Sequence, residues 1–163
     1  MPGSIKHADE LLPYRTVREI FAGRRTVVHA LAPADTVERA LRVMAQHDIG
    51  LVVVLDDDHL AGVLSERDLL RRAHPTETAA AFRQQPVSEL MTRDVATVTP
   101  DDRVARCVEL MEQRGARHLP VVDGGRVVAV LSVRDLLREA VKHHSRLLAE
   151  IEHERLAAFQ PIG

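Results

Sequence analysis

Two short stretches hold the side chains best suited to chemistry. Ser65-Glu66-Arg67-Asp68 and Ser132-Val133-Arg134-Asp135 lie 67 positions apart, within VLSERDLLR (63–71) and VLSVRDLLR (130–138). The two nine-residue stretches agree at eight positions. Their spacing is that of a capping box, with Ser at a helix N-cap and an acid at the third helical position. The same spacing suits a ligand. A helix N-terminus turns free N–H groups and partial positive charge toward an anion. A Ser hydroxyl there adds a donor, and an Arg can clamp phosphate. A carboxylate one turn in can accept from two vicinal sugar hydroxyls. Capping, worth about 1 kcal/mol, accounts for Ser and Asp but does not require an Arg between them twice. On the residues alone, cap and nucleotide site both stand.

The elements that must position these words are repeated as well. Residues 36–71 align with 103–138 without a gap, with 14 of 36 identical. Two copies at so long a period read as a duplicated unit rather than a solenoid. Val37, Ala40, Leu41 and Met44 recur at helical spacing, as do Val104, Cys107, Val108 and Met111. The apolar runs 51–55 and 60–64 flank DDDH, and 119–122 and 127–131 flank DGGR, so each copy reads as a β-hairpin. Short strands are expected at 27–31 and 95–98. Pro33-Ala34-Asp35 and Pro100-Asp101-Asp102 stand where helix N-caps belong. The unit is β-α-β-β-α, an α/β (α+β) fold. The expected organisation is 1–74 for the N-terminal segment and first repeat, 75–86 for a connector, 87–138 for the second repeat and 139–163 for a helical tail. No Gly or Pro interrupts Leu131 to Gln160, so the closing helix is expected to run on.

The duplicated unit, the run RHLPVVD (117–123) opening the second hairpin and the closing S-x-x-D helix together resemble a pair of CBS domains, or Bateman module. The resemblance covers about Val17 to Arg138. It implies two pseudo-twofold-related repeats with a cleft at each hairpin sheet. It also implies an adenosine ligand: AMP, ADP, ATP or NAD(H), with S-adenosylmethionine behind them. Ser65 and Asp68, and Ser132 and Asp135, would meet phosphate and ribose. Arg117 and His118, just ahead of Pro120, would reach phosphate. Val63, Val95 and Ala96 would line the adenine end of one cleft, and Val28, His29 and Val130 the same places in the other. The first copy departs from the pattern, with Gly50, Leu51 and Val53 where the second has Arg117, His118 and Pro120. The second has Ala129 where the first has Gly62. Unequal clefts follow. The Asp68 cleft, served by Arg117, His118 and Arg134, is expected to be the stronger. The Asp135 cleft would rely on Arg67. Family members associate through helices, so a homodimer is expected, with the two apolar helix stripes as candidate contacts. The tail helix is a candidate surface for a further protein partner.

Composition narrows the classes. With 22 basic and 24 acidic residues, there is no basic excess for nucleic acid or an anionic membrane. Aromatic residues make up 2%, too few for base-stacking platforms. No apolar run is long enough to span a bilayer. The lone Cys107 forbids an internal disulfide, and the N-terminus lacks a signal-peptide plan, so a cytoplasmic setting is expected. Nine histidines are present, yet none shows zinc-site spacing, and Asp56-Asp57-Asp58 reads as a solvated hairpin turn. Cys107, on an apolar helix face, reads as a core thiol. No P-loop, dinucleotide fingerprint or nucleophile elbow occurs. No enzyme and no metal site are expected. The reading is an adenine-nucleotide sensor without catalysis, and its rival is a structural interaction module with empty clefts.

Overall fold

The computed structural model describes residues 15–73 and 78–158, with backbone alone from 154 onward. The boundary expected at 74/75 and the helix end expected at Gln160 lie outside the described residues. The elements run α1 (Val17–Phe21), β1 (Ala30–Leu31), α2 (Val37–His47), β2 (Leu51–Asp56), β3 (His59–Ser65) and α3 (Glu66–Arg72). They continue α4 (Ala79–Gln84), α5 (Val87–Leu90), α6 (Val104–Arg114), β4 (His118–Asp123), β5 (Arg126–Ser132) and α7 (Val133–Ala158). The result is the mixed α/β (α+β) fold, with sheets ordered β1-β2-β3 and β4-β5.

The hairpins form where the alternating apolar runs demand them, in matching register. Leu51 pairs with Ser65 and His118 with Ser132, and each ladder slips at the same place, after Val54 and after Val121. The two-residue turns need positive φ at both positions, which Gly and Asp tolerate. Asp57 and Asp58 have φ of 46° and 68°, and Gly124 and Gly125 have 55° and 81°. The turns meet through Arg126 and Asp58, 3.6 Å apart.

The helix stripes settle inward. Val37, Ala40 and Met44 of α2 and Val104, Cys107 and Met111 of α6 are buried within the chain. Leu41 on α2 stays 37% exposed and Val108 on α6 half-buried, so each stripe is only partly taken up by the chain's own core. The helix starts also differ from expectation. Thr36 caps α2, and α6 begins after Arg103 with no side-chain cap. Asp35 and Asp102 instead accept from the N–H groups of Ala32 (2.8 Å) and Thr99 (2.7 Å), closing the turn before each helix.

Sequence repeat and spatial half are not the same thing. α1 of the first repeat buries Val17 and Ile20 in the core of the second, beside Cys107, Leu119 and Leu131. α5 of the second repeat, with Met91 just after it, buries Val87, Leu90 and Met91 in the core of the first, beside Val52, Leu64 and Leu69. Backbone bonds fasten the exchange: Val17 N–H to Asp102 O at 3.0 Å, and Val87 N–H to Asp35 O at 2.7 Å. Neither half can complete its core without a helix from the other.

The short leading strands are smaller than the sequence suggests. β1 holds two residues, and the stretch 95–98 forms only a bridge from Val98 to Val121. Proline explains the asymmetry. In the first repeat Val53 donates its N–H to His29 O at 3.0 Å. Pro120 stands at that place in the second and has no N–H to give Ala96.

Candidate functional site

Both S-x-x-D words form full capping boxes at the starts of α3 and α7. Ser65 N–H and Oγ–H both donate to Asp68 Oδ2, at 2.9 and 2.6 Å, while Asp68 N–H donates to Ser65 Oγ at 3.2 Å. Ser132 and Asp135 repeat the pattern, with N–H to Oδ2 at 3.0 Å and the return bond at 3.2 Å. A hydroxyl has one proton. Here it goes to the carboxylate, so donation to a phosphate needs that bond to be given up. The cap uses only one oxygen of each Asp. What happens at the other oxygen separates the two copies.

Asp68 Oδ1 has no hydrogen bond or ion pair among the described residues. Asp135 Oδ1 faces two guanidiniums, Arg138 Nη1 at 3.5 Å and Arg24 Nη1 at 3.6 Å. Arg24 is held in turn by Glu139, whose Oε1 accepts from Arg24 Nη2 at 2.9 Å and Lys142 Nζ at 3.1 Å. Its Oε2 accepts from Arg15 Nη1 at 3.3 Å. Glu139 is 6% exposed, the one charged residue among the buried ones described. A carboxylate so buried needs such partners. Glu139 and Arg24 were missed in the sequence. The available signal was Glu139 at i+4 from Asp135, on the same helix face.

Each Asp opens onto its own cleft. The Asp68 cleft, about 300 Å3, is lined by Val63, Ser65, Arg67, Asp68, Val95 and Ala96, with Arg71 and Arg114 at its edge. The Asp135 cleft, about 800 Å3, is lined by His29, Val130, Ser132, Arg134 and Asp135, with Arg24, Arg25 and Arg138. Gly50, Leu51, Arg117 and His118 line both. These four residues are pseudo-twofold mates, since 50 and 117, and 51 and 118, each differ by 67. Five arginines and three carboxylates (Asp48, Glu66, Asp135) surround the larger cleft. Four arginines and three carboxylates (Glu66, Asp68, Asp94) surround the smaller.

This partition corrects three expectations. Arg134 lines the Asp135 cleft rather than the Asp68 cleft. Arg67 lines the Asp68 cleft, donating to Gly115 O at 3.3 Å, and does not serve the other. In each case a residue one position before the Asp faces that Asp's own cleft. Val28 lines neither cleft, although Val27 and His29 on either side do. That is the alternation of an extended segment.

Loop length explains the sizes. α5 follows α1 by 70 positions while the hairpins follow by 67, so the first repeat has three more residues between its short helix and its hairpin. In the short loop, Thr92 exchanges backbone bonds with Val63 at 2.8 and 3.0 Å. That closure requires Gly62: a Cβ there would stand 2.6 Å from Thr92 O and 2.8 Å from Met91 Sδ. The long loop carries Arg24 and Arg25 and makes no such bridge to Val130 among the described residues. Ala129 therefore tolerates its methyl.

Burial, with Arg117 and Arg134 nearby, holds the His118 imidazole below its ordinary pKa, against the opposing pull of Asp135. His29 is lowered by burial and by His47, whose ring stacks on it at 3.9 Å. Burial, reinforced by Asp102, pushes the Cys107 thiol up to about 11, which keeps it protonated and unreactive. Among the described residues no group of three or more His, Cys, Asp or Glu side chains could hold a metal ion. No described helix is long and apolar enough to cross a membrane.

The family model for the CBS domain matches the chain twice, over residues 17–75 and 87–142. The chain belongs to the CBS-domain family. The CBS domain-containing protein YhcV of Bacillus subtilis is 29% identical over 133 residues, covering 80% of this chain and 93% of YhcV. The crystal structure of the CBS domain NE2398 is 35% identical, with a TM-score of 0.72, covering 78% of this chain and 98% of that one. The structure of CBSX2 in complex with AMP is 25% identical, with a TM-score of 0.66, covering 79% and 98%. In this CBS pair the two S-x-x-D words sit at equivalent clefts of unequal size and charge.

Proposed function

We propose that this CBS pair binds adenine nucleotides in its clefts and passes their occupancy to a partner, without catalysing a reaction of its own. The observation that carries the reading is the same conjunction at both clefts: a Ser-x-x-Asp helix start beside at least four arginines. Asp68 and Asp135 would take the ribose, and Arg117 and His118 would serve phosphate from either side. Ser65 and Arg67 assist at one cleft, and Ser132 and Arg134 at the other. Val63, Val95 and Ala96, and across the axis His29 and Val130, offer the base an apolar wall. Volumes of about 300 and 800 Å3 fall at the lower edge of the ordinary ligand-site range and well inside it. The small cleft suits a mononucleotide such as AMP. The large one suits ADP, ATP or NAD(H). S-adenosylmethionine has a cationic sulfonium and no phosphate, so arginine-rich walls favour it less. That CBSX2 was solved with AMP supports the ligand class. With the ligand bridging both repeats, its binding energy biases their relative angle or the seating of the tail helix. The setting proposed is the cytoplasm.

One observation favours the rival, a scaffold with empty clefts. Among the described residues, every buried side-chain nitrogen and oxygen already has a partner, so no orphan group demands a ligand. Thermal shift and calorimetry against AMP, ADP, ATP, NAD, NADH and S-adenosylmethionine separate the two. Stabilisation by at least one phosphorylated adenosine, growing with its concentration, is expected. No response to any of them would leave the scaffold.

A further inference from the structure

We infer that the two clefts are antagonists: Arg117 and His118 form one phosphate clamp for both, so a nucleotide bound in either cleft weakens binding in the other. Antagonism presupposes the nucleotide reading above, which by itself leaves the clefts independent. At the pseudo-twofold axis the backbone is symmetric and the side chains are not. Glu66 N–H donates to Gly50 O at 3.1 Å, and at the mate position Val133 N–H donates to Arg117 O at 3.0 Å. Each bond ties the lead into a hairpin to the first turn of its closing helix. The first repeat brings Gly50, Leu51 and Glu66 to this place, where the second brings Arg117, His118 and Val133. All but Val133 line both clefts. A symmetric pair would hold an arginine and a histidine for each cleft. This chain holds one of each for the two.

Charge limits the axis to one phosphate. Arg117 is exposed, and its guanidinium has no hydrogen bond or ion pair among the described residues. The same holds for the Glu66 carboxylate, which adds a negative charge common to both clefts. With His118 neutral at pH 7, Arg117 and Glu66 cancel. A phosphate monoester carries roughly −1.5 to −2 charges at that pH, so one is enough to occupy the guanidinium fork. A second, arriving from the other cleft, meets an engaged cation, a carboxylate and a like charge across the axis. Each cleft has further arginines, but they are not equally free. In the small one Arg67 donates to Gly115 O and Arg114 pairs with Asp94 at 2.9 Å. In the large one Arg25 and Arg134 have no ion pair among the described residues. The small cleft therefore depends more on Arg117. The coupling is nevertheless reciprocal: ATP in the large cleft weakens AMP in the small one by the factor by which AMP weakens ATP.

Calorimetry on the full chain tests this, with AMP titrated into protein held at rising fixed concentrations of ATP. AMP affinity is expected to fall about tenfold, the effect of one charge-assisted contact, and then to level off while ATP still rises. An affinity indifferent to ATP overturns the antagonism. So does a fall that never levels, which means one shared site rather than two coupled ones. No binding of either nucleotide overturns the proposed function together with it. Arg117→Ala, at an exposed position, should weaken AMP about tenfold and ATP severalfold when each is titrated alone, with an unchanged circular dichroism spectrum. A loss for only one of the two overturns the shared clamp. Gly50→Arg with Glu66→Val writes the second repeat's side chains into the first. A Cβ at Gly50 would stand 3.3 Å from Glu66 Oε2, and the second change clears that contact. In this variant AMP affinity should hardly respond to ATP. Antagonism that persists undiminished overturns the proposal.

Discussion

At the start of α3, Asp68 gives one oxygen to Ser65 and keeps the other free of partners among the described residues. At the start of α7, Asp135 gives one oxygen to Ser132 and turns the other to Arg24 and Arg138. The words at the two helix starts are nearly identical, so the difference comes from elsewhere. It comes from a loop three residues longer, which brings Arg24 within reach and leaves the cleft open. Duplication preserved the cap, because the cap is local. It did not preserve the surroundings, because the short helix and loop that complete each half belong to the other repeat. A carboxylate that is free suits a neutral diol. A carboxylate already facing cations suits a ligand negative enough to draw those cations away.

The largest expected difference between the clefts is in their response to losing the Asp. Asp68→Ala should weaken AMP binding roughly 100-fold. It removes two hydrogen bonds to a charged group, each worth about 1.5–3 kcal/mol. Asp135→Ala should cost AMP far less, because Asp135 Oδ1 is already engaged by Arg24 and Arg138. Calorimetry on both variants tests this. Equal losses would erase the distinction drawn between the clefts.

The closed loop can be broken by a single methyl. Gly62→Ala sets a Cβ against Thr92 O and Met91 Sδ and should cost about 1–3 kcal/mol by overpacking. Chemical denaturation reads this directly. The mirror change, Ala129→Gly, should cost about 1 kcal/mol or less, through strand entropy and a small lost contact. If Gly62→Ala proves the milder of the two, loop closure does not explain the smaller cleft.

The pattern of what could be read in advance follows the range of the interactions. Hairpins, their turns, the α2 and α6 faces and both S-x-x-D caps were legible because each rests on residues within a few positions. The exchange of α1 and α5 was not legible, since Val17 and Val87 look alike and nothing local says whose core each enters. Arg67 and Arg134 were assigned to the wrong clefts for a related reason. Which side of a helix start faces which cavity is set by the packing of two halves. The missing strand at 95–98 was, by contrast, available, because Pro120 announces a lost donor. The nucleotide reading rests on the family resemblance and on the arginines gathered beside each S-x-x-D helix start, which only the packing of the two halves brings together.

Arg24 sharpens the comparison through a change of sign. Arg24→Ala removes a cation and at the same time releases Asp135 Oδ1. ATP should bind the Asp135 cleft about tenfold more weakly, the loss of one charge-assisted contact. Adenosine, which has hydroxyls but no phosphate, should bind as well or better. Glu139 keeps Arg15 and Lys142, so the fold should hold. Titrations of both ligands against the variant decide it, and parallel losses would mean that Arg24 is structural.

The smallest effect expected is a pH dependence that both clefts share. His118 lines both, and burial together with Arg117 and Arg134 lowers its pKa, while Asp135 opposes them. It is therefore neutral at pH 7, where an unperturbed imidazole titrates near about 6.5. The sign for stability follows. The unfolded chain takes up this proton more readily than the folded one, so the free protein should lose stability as pH falls through the ordinary His range toward the lowered value. A bound phosphate reverses the preference by favouring the charged imidazole. Affinity for AMP or ATP should therefore rise severalfold as pH falls from about 7.5 to about 6, with proton uptake on binding. His118→Gln should remove most of that rise and leave the part carried by His29, which lines the Asp135 cleft alone. The residual pH dependence should thus survive for the ligand of the large cleft and vanish for that of the small one. Calorimetry in buffers of different ionisation enthalpy counts the protons. An unchanged pH slope in His118→Gln would show that the imidazole does not face the ligand's charge.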